Sequence, residues 1–350
     1  IYAGEGVYYS GGWEELRDFA ELVQAPVMTT LKGKGIYPED HPLSVGHGGM
    51  TGSKVAAHFL RRADLVFAIG ASLTPGSGIF MGAEIPSGKT IVQCTVDELD
   101  LAKDYAVDWA IVGDAKLVLA QLIREVERQG GGKPNTDQAL VDEISRVKEE
   151  WLREWMPKLT SGEVPIDPLR VVWDLAQAID KRNTIVTHDS GCPRDHLAPF
   201  YEAVTPRGYL GWGHHSTLGY SLGGAMGAKL AQPEKTVINV MGDGAFGMVG
   251  MDFETAVREK IPILTVVLNN SGMGTYFEMT PSTSALSGNY AKVAEGLGGR
   301  SERVEEPDEV IPAIRRAQKS AESGRAALLE IITKVELGFQ TPYWQDLHRE

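Results

Sequence analysis

The sequence predicts an α/β protein with two doubly wound domains, each built on a mainly parallel sheet. The chain has 350 residues, which exceeds the size at which one hydrophobic core usually stops growing. Short, continuous apolar strands alternate with helical patterns, as expected when helices cover both faces of a parallel sheet. A glycine-rich stretch near residue 130 separates two such alternations, so we predict two domains.

The first domain is predicted over residues 1–128. Its predicted elements are a strand from Ile1 into the turn Gly4–Gly6, a helix over Gly12–Val23, a strand over Ala25–Thr29, a helix over Lys54–Arg62, strands over Leu65–Gly70 and Thr90–Thr95, and a helix over Ala115–Val126. The stretch Glu127–Asn135 is typical of a linker, and a charged amphipathic helix over Asp137–Trp155 follows it. We assign the linker and this connecting helix to residues 129–160.

The second domain is predicted over residues 161–350. Asp167 and Pro168 are typical of a helix start, where a capping carboxylate precedes a proline in the first turn. The apolar side chains at helical spacing from Leu169 to Ile179 are interpreted as core. The other predicted elements are a strand over Thr184–Thr187, an irregular stretch to Gly213, a helix over Gly219–Ala231, a strand over Thr236–Met241, a helix near Met251–Lys260 and a strand over Ile263–Leu268.

Composition and charge exclude several classes of protein. The 47 Asp and Glu residues outnumber the 34 Lys and Arg residues, and the net charge of −13 argues against a nucleic acid or an anionic membrane as partner. The sequence contains neither an apolar run long enough to cross a bilayer nor a secretion signal. Its two cysteines, Cys94 and Cys192, are too far apart for a CxxC metal motif. We therefore expect a cytoplasmic protein.

Residues 236–272 carry the strongest chemical pattern in the sequence. They predict a strand–helix–strand unit in which Gly242–Gly244 follows the first strand and Asn269–Asn270 follows the second. If these two strands are neighbours, Asp243 and Asn270 emerge side by side at the carboxyl edge of the sheet, where open α/β sheets bind ligands. Each turn alone is typical of an ordinary strand end, whereas the two together favour a binding site.

The residue types in these turns are suited to a metal and a diphosphate. A carboxylate and a carboxamide are hard oxygen ligands of the kind that Mg²⁺ binds, with further oxygens from water and phosphate. Gly242 and Gly244 let the backbone approach a ligand closely, and free N–H groups at a helix start favour phosphate oxygens. The metal and the backbone dipoles then offset the acidic charge of the chain.

The spacing of the two turns resembles the signature of the thiamine diphosphate-dependent enzymes, since 24 residues separate Gly244 from Asn269. Nearly the whole chain is similar to the superfamily of acetolactate synthase, pyruvate oxidase and 2-oxo acid decarboxylase. The first part of the chain resembles the central Rossmann-like domain of this superfamily, in the segments Tyr2–Gly6, Pro26–Gly35 and Ala63–Ala71. Residues after about 160 resemble its diphosphate-binding domain.

The resemblance implies a role for each of several residues. Asp243 and the Asn270 side chain would bind Mg²⁺ together with the Gly272 carbonyl. Leu218 would lie between the two rings of the cofactor, and the Ser216 carbonyl would accept a hydrogen bond from its exocyclic amine. The residues implied to contact the diphosphate are Ser190, Gly191, Gly242, Gly244, Ala245 and Phe246.

Two adjacent histidines, His214 and His215, directly precede Ser216 and are candidates to donate protons to the substrate. Adjacent side chains diverge, so at most one of them would face the site. We interpret His188 as a structural residue at a strand end, and Cys192 as part of an apolar wall.

The sequence also departs from the family pattern. The family's chain order begins with a pyrimidine-binding domain, whose glutamate starts proton transfer, and this sequence contains neither. We therefore expect part of a longer enzyme, or one subunit of a split enzyme, that is inactive as an isolated chain. Ser72–Thr74 replaces the flavin-binding Arg-Phe-Asp of acetolactate synthases, and Cys192-Pro193 replaces their Gln-His. The first change argues against FAD, and whether Gly46–Gly52 receives a nucleotide stays open.

The resemblance implies C–C bond cleavage or formation on 2-oxo acids by a lyase or transferase similar to acetolactate synthase. A decarboxylase or C–C hydrolase of the same superfamily is the alternative. A protein that binds the cofactor without turnover is an alternative of another class. A Rossmann dehydrogenase is disfavoured because no GxGxxG follows an early strand. The expected assembly is a homodimer or homotetramer in which the missing segment or another subunit supplies the pyrimidine-binding domain.

Overall fold

The computed structural model describes residues 1–49, 51–74, 85–131, 136–212, 216–273 and 284–336. The chain divides into two compact units. The first consists of Ile1–Glu154 with Glu202–Arg207, and the second of Trp155–Tyr201 with residues 208–336. Each unit contains a six-stranded parallel sheet with flanking helices, which confirms the predicted fold class. No helix among the described residues is long and apolar enough to span a membrane.

The first unit is built on six short parallel strands. They are β1 (Tyr2–Ala3), β2 (Val27–Thr29), β3 (Ser44–His47), β4 (Leu65–Ile69), β5 (Thr90–Thr95) and β6 (Trp109–Val112), in the sheet order β3-β2-β1-β4-β5-β6. The helices up to residue 159 are α1 (Glu5–Ser10), α2 (Trp13–Val23), α3 (Lys54–Arg62), α4 (Ala115–Arg128) and α5 (Gln138–Leu159). Side-chain caps fix two helix starts, since Ser53 accepts the Ala56 N–H and Asp114 accepts the Leu117 N–H.

The second unit repeats this architecture with longer strands. They are β7 (Thr184–His188), β8 (Tyr209–Leu210), β9 (Thr236–Gly242), β10 (Leu264–Asn269), β11 (Arg300–Val304) and β12 (Ala327–Ile332), in the order β11-β12-β10-β9-β7-β8. The helices are α6 (Pro168–Ala178), α7 (Cys192–Phe200), α8 (Tyr220–Ala231), α9 (Asp243–Val249), α10 (Phe253–Arg258), α11 (Tyr290–Gly296) and α12 (Val310–Glu322). The predicted cap of α6 is confirmed, because the Asp167 carboxylate accepts the Leu169 N–H at 2.9 Å.

Burial of the central strands places the core of the second unit around the sheet. Every residue of β7 and β10 is buried, as expected for a parallel sheet covered on both faces. Phe246 and Phe253, from the segment after β9, pack into the same apolar cluster as strand residues such as Val267. This core fixes the strand ends from which the candidate binding residues emerge.

One local prediction in the second domain was wrong. The stretch before Gly213 was expected to be irregular, yet Cys192–Phe200 forms α7. Pro193 is compatible with this helix because it lies in the first turn, where the missing N–H costs no helical hydrogen bond. The helix predicted near Met251–Lys260 is present as α10, and a further helix that was not predicted, α9, begins at Asp243 directly after β9.

Candidate functional site

The carboxyl ends of β7, β9 and β10 lie next to one another at one edge of the second sheet. β9 separates β7 from β10, and the register pairs Leu268 of β10 with Gly242 of β9. The chain therefore leaves these two strands side by side, which confirms that they are neighbours. This edge is where open parallel sheets bind ligands.

Asp243 begins α9 and is only 2% exposed. Its Oδ1 accepts the Gly244 N–H at 2.8 Å, and its Oδ2 accepts the Gly272 N–H at 3.0 Å. No Lys or Arg side chain among the described residues forms an ion pair with it. Burial raises the pKa of Asp243 to about 6, although hydrogen bonds from backbone N–H groups act in the opposite direction. A cation at this carboxylate would offset the cost of burying its charge.

Asn270 and Gly272 bring a second and a third oxygen towards this carboxylate. The Gly272 N–H donates both to Asp243 Oδ2, at 3.0 Å, and to Asn270 Oδ1, at 3.1 Å. One amide nitrogen thus lies beside a carboxylate oxygen and a carboxamide oxygen from two different strands. Between them, Ser271 has a left-handed φ of 60°, which turns the chain sharply.

The backbone around Gly272 determines where its carbonyl points. Gly272 forms an antiparallel bridge with Ala285, flanked by two backbone hydrogen bonds of 2.9 Å in which Gly272 takes no part. In such a pair, the N–H and C=O groups of the bridge residue point away from the partner segment. Because the Gly272 N–H faces Asp243, its carbonyl is directed to the same side.

The loop of residues 216–219 is fixed at the carboxyl end of β7. The hydroxyl groups of Ser190 and Ser216 are hydrogen-bonded to each other. At the other end of the loop, the Gly219 N–H donates to both carboxylate oxygens of Asp189, at 3.1 and 3.0 Å. Leu218, between these two points, is partly buried and packs against the apolar cluster of the second unit.

The remaining residues that were predicted to contact the diphosphate lie at the starts of α7 and α9. Gly191, with a φ of 77°, directly precedes α7. A Cβ at Gly244 would meet Met273 Cγ at 3.2 Å, so a side chain there would need that neighbour to shift. The side chains of Ala245 and Phe246 lie in the core, which leaves their backbone groups for a ligand. The predicted proton donors His214 and His215 lie outside the described residues.

Cys192 lies at the first position of α7 and its thiol is not activated. Burial is the main cause that raises the pKa of Cys192 to about 12, and the negative charges of Asp195 and Asp243 add to it. The thiol therefore stays protonated at neutral pH, and a nucleophilic role is disfavoured.

Two buried carboxylates in this region were missed by the sequence interpretation. Asp189 is fully buried directly after β7. Glu330, in the middle of β12, is fully buried too and accepts hydrogen bonds from Asn269 Nδ2 at 2.7 Å, the Ala291 N–H at 3.0 Å and Arg303 Nη1 at 3.1 Å. A glutamate inside the apolar run of β12 was the available signal, because a buried carboxylate must find donors.

Within the described part of the chain, no three His, Cys, Asp or Glu side chains are grouped so that they could hold a metal ion. A cation at the β9–β10 edge would therefore depend on one carboxylate, one carboxamide and backbone carbonyl oxygens. This donor set is entirely oxygen, which is the chemistry of Mg²⁺ rather than of zinc.

Comparison with known proteins matches both units. Residues 1–122 match the central domain of the thiamine pyrophosphate enzymes, and residues 189–331 match their C-terminal TPP binding domain. A probable acetolactate synthase large subunit of Methanocaldococcus jannaschii is 33% identical over 343 residues, which cover 92% of this chain and 56% of that protein.

Other relatives carry different names. The acetolactate synthase large subunit of Corynebacterium glutamicum is 31% identical, over 91% of this chain and 52% of its own length. Sulfoacetaldehyde acetyltransferase of Alcaligenes xylosoxydans xylosoxydans is 29% identical, over 97% of this chain and 61% of its own length. The chain thus spans little more than half the length of these relatives. Both of its units carry the family's domains, and the chain belongs to the thiamine diphosphate-dependent enzymes of the acetolactate synthase and pyruvate oxidase superfamily.

Proposed function

We propose that this chain binds thiamine diphosphate with Mg²⁺ and takes part in C–C bond cleavage or formation on 2-oxo acids, as an acetolactate synthase-like lyase or transferase. The observation that carries the proposal is the convergence of Asp243, Asn270 and Gly272 at the ends of β9 and β10. It occurs within the residues that match the cofactor-binding domain of the family.

The donor set supports Mg²⁺ as the metal. Asp243 supplies a buried carboxylate with no cationic partner among the described side chains, and Asn270 and Gly272 supply neutral oxygens. Mg²⁺ takes few protein ligands and completes its shell with water and substrate phosphate. A diphosphate at the start of α9 would supply such oxygens, since the first turn of a helix has backbone N–H groups without intrahelical partners.

The loop of residues 216–219 would hold the ring end of the cofactor. Leu218 would support the bent arrangement of the two rings, and Ser216 would offer its carbonyl to the exocyclic amine. Bound thiamine diphosphate supplies a carbon nucleophile and an electron sink for reactions at carbonyl groups. The chain itself would bind the diphosphate, fix the rings and exclude water from them.

We propose that a pyrimidine-binding domain completes the site, in a homodimer or homotetramer located in the cytoplasm. The chain spans little more than half the length of its relatives, and the part of these relatives outside the match is long enough to contain such a domain. The exposed side chains of Met248 and Met251, at 58% and 68%, support an apolar surface near α9 that another domain could cover.

The competing activities predict different products. With pyruvate as the probe, an acetolactate synthase joins two molecules and releases one CO₂, whereas a decarboxylase releases CO₂ and acetaldehyde. The relative named as an acetyltransferase suggests transfer of an acetyl group to another acceptor as a further outcome within the same superfamily. A C–C hydrolase or a non-catalytic binding protein would give none of these products from pyruvate.

The test combines calorimetric titration of thiamine diphosphate, with and without Mg²⁺, with product analysis after addition of pyruvate. The assay uses the chain together with a pyrimidine-binding domain. Mg²⁺-dependent binding followed by acetolactate formation supports the proposal. Absence of Mg²⁺-dependent binding contradicts it, and binding without turnover of pyruvate favours the C–C hydrolase or the non-catalytic alternative.

A further inference from the structure

We infer that Asp189 is a positioning residue that holds the loop of residues 216–219, and with it Ser216 and Leu218, in the conformation required by the cofactor. The inference rests on the proposed function, because it assigns a new residue to the proposed site. Asp189 would act through the loop and would not itself touch the cofactor.

The carboxylate of Asp189 is the hub of a buried hydrogen-bond network. It is fully buried and accepts the Ser190 N–H at 2.9 Å, the Gly219 N–H at 3.1 and 3.0 Å, and the Ser221 N–H at 3.2 Å. The Ser221 hydroxyl donates to it at 2.6 Å. Three backbone amides and one hydroxyl thus converge on a single side chain from the start of α8 and from its own turn.

Ser221 is held at every polar group that it has. Its N–H and hydroxyl donate to Asp189, and its carbonyl accepts a hydrogen bond from the Thr187 hydroxyl at 3.0 Å. Thr187 lies in β7, two residues before Asp189. The first turn of α8 is therefore fastened directly to the end of β7.

The loop is fastened at both ends by adjacent residues. The hydroxyl groups of Ser190 and Ser216 are hydrogen-bonded to each other, and the Gly219 N–H donates to the Asp189 carboxylate. Both loop ends have left-handed backbone conformations, with φ of 36° at Ser216 and 90° at Gly219. Such a conformation is costly for serine and persists only where neighbouring contacts enforce it.

Gly219 cannot be replaced without strain. A Cβ at this position would lie 2.5 Å from Val249 Cγ1, and its left-handed φ of 90° favours glycine. Leu218 directly precedes this fixed point. The hydrogen bonds from Gly219 to Asp189 therefore hold the backbone that directly follows Leu218.

The negative charge of Asp189 is balanced by donors rather than by a cation. No Lys or Arg of the described residues pairs with it, and every partner of its two oxygens donates a hydrogen. In Asp189→Asn, the amide group would face at least two N–H donors in either orientation. This isosteric substitution should therefore break hydrogen bonds between residue 189 and the start of α8, because a buried donor would be left against other donors.

The first test measures backbone hydrogen exchange at Gly219 and Ser221 in the cofactor-free protein. We expect Asp189→Asn to raise exchange there by at least about tenfold, since charge-assisted hydrogen bonds are lost. Asp167→Asn is the matched control, as Asp167 is an equally buried cap of α6 in the same unit. It should increase exchange near Leu169 and leave Gly219 and Ser221 unchanged.

The second test separates positioning from binding in the active assembly. We expect Asp189→Asn to lower kcat at least about tenfold while changing the affinity for thiamine diphosphate less than about threefold, because ring orientation affects the transition state more than diphosphate binding does. If Asp189→Asn does not fold, Ser221→Ala decides, since it removes one donor and should give a smaller effect in the same direction.

Unchanged exchange at Gly219 and Ser221, or a loss of kcat no larger than in Asp167→Asn, would overturn the inference. Failure of the proposed function would be visible separately, as absence of Mg²⁺-dependent cofactor binding by the wild-type protein. The exchange result stands in either case, because it needs no cofactor.

Discussion

At the residue scale, a substitution of Leu218 distinguishes an effect on the conformation of the cofactor from an effect on its binding affinity. Its side chain packs on the apolar cluster, while Ser216 and Gly219 of the same loop make polar contacts. We expect Leu218→Ala to lower kcat by about tenfold or more and to leave the affinity for thiamine diphosphate within about threefold of wild type.

Leu230→Ala is the control for this substitution. Leu230 belongs to α8 and is 68% exposed, so the same change of side chain should leave kcat unchanged. Steady-state kinetics and calorimetry on the assembled enzyme provide both quantities. A Leu218→Ala variant that loses affinity but keeps kcat would argue against the supporting role of this side chain.

His196 is a buried histidine whose protonation should destabilise the fold. Neither ring nitrogen has a hydrogen-bond partner among the described residues, and burial lowers the pKa of His196 from 6.5 to about 4. The unfolded chain therefore takes up a proton below pH 6.5 that the folded protein accepts only near pH 4. As the pH falls from 6.5 to 4, the free energy of unfolding should therefore decrease by about 1.4 kcal/mol per pH unit.

His196→Leu should remove this pH dependence. We expect the free energy of unfolding of His196→Leu, minus that of wild type, to increase by roughly 2 kcal/mol as pH falls from 7 to 5. The raised pKa of Asp243 acts in the opposite direction, but it is common to both proteins and cancels in the comparison. Urea unfolding at several pH values gives the difference, and parallel profiles would show that His196 does not titrate as described.

At the element scale, Glu330 ties three elements together behind the Asn269–Asn270 turn. Its carboxylate accepts hydrogen bonds from Asn269 at the end of β10, from the start of α11 at Ala291 and from Arg303 of β11. We expect Glu330→Gln to lower the free energy of unfolding by about 1–3 kcal/mol, because its amide would oppose one of these buried donors.

Glu305→Gln is the matched control for Glu330. Glu305 pairs with the same arginine, Arg303, at 2.7 Å, but its side chain is 59% exposed. An exposed ion pair contributes little, so a change below about 0.5 kcal/mol is expected. Equal effects of the two substitutions in urea unfolding would contradict the role given to burial.

Local patterns were sufficient for many elements and for the candidate metal ligands. The helix over Lys54–Arg62 and the strand over Thr90–Thr95 have the predicted bounds, because caps and continuous apolar runs are encoded locally. The neighbouring position of Asp243 and Asn270 followed from the same logic, since two turns after adjacent parallel strands share one edge of the sheet.

The supporting residues could not be found in this way. The partners of Asp189 at Gly219 and Ser221 are about thirty residues away, and no periodicity indicates which donors a buried carboxylate meets. The segment of α7 was predicted to be irregular, although Pro193 lies in the first turn, where helices tolerate proline.

At the scale of the whole molecule, the second sheet assembles one site from separate stretches of the chain. β7 positions the loop of residues 216–219, β9 presents Asp243, and β10 presents Asn270 and Gly272. A parallel strand order brings these separate stretches to one edge. If Mg²⁺ binds elsewhere, this arrangement loses its proposed function.

Anomalous diffraction from crystals grown with thiamine diphosphate and Mn²⁺ is the most direct test, since Mn²⁺ favours the same octahedral oxygen sites as Mg²⁺. We expect one strong peak in contact with the Asp243 carboxylate, Asn270 Oδ1 and the Gly272 carbonyl. The peak should be absent in Asp243→Ala and retained in Asp252→Ala, which removes an exposed carboxylate nearby. Bound cofactor with the metal at another position, or an unchanged peak in Asp243→Ala, would contradict the account.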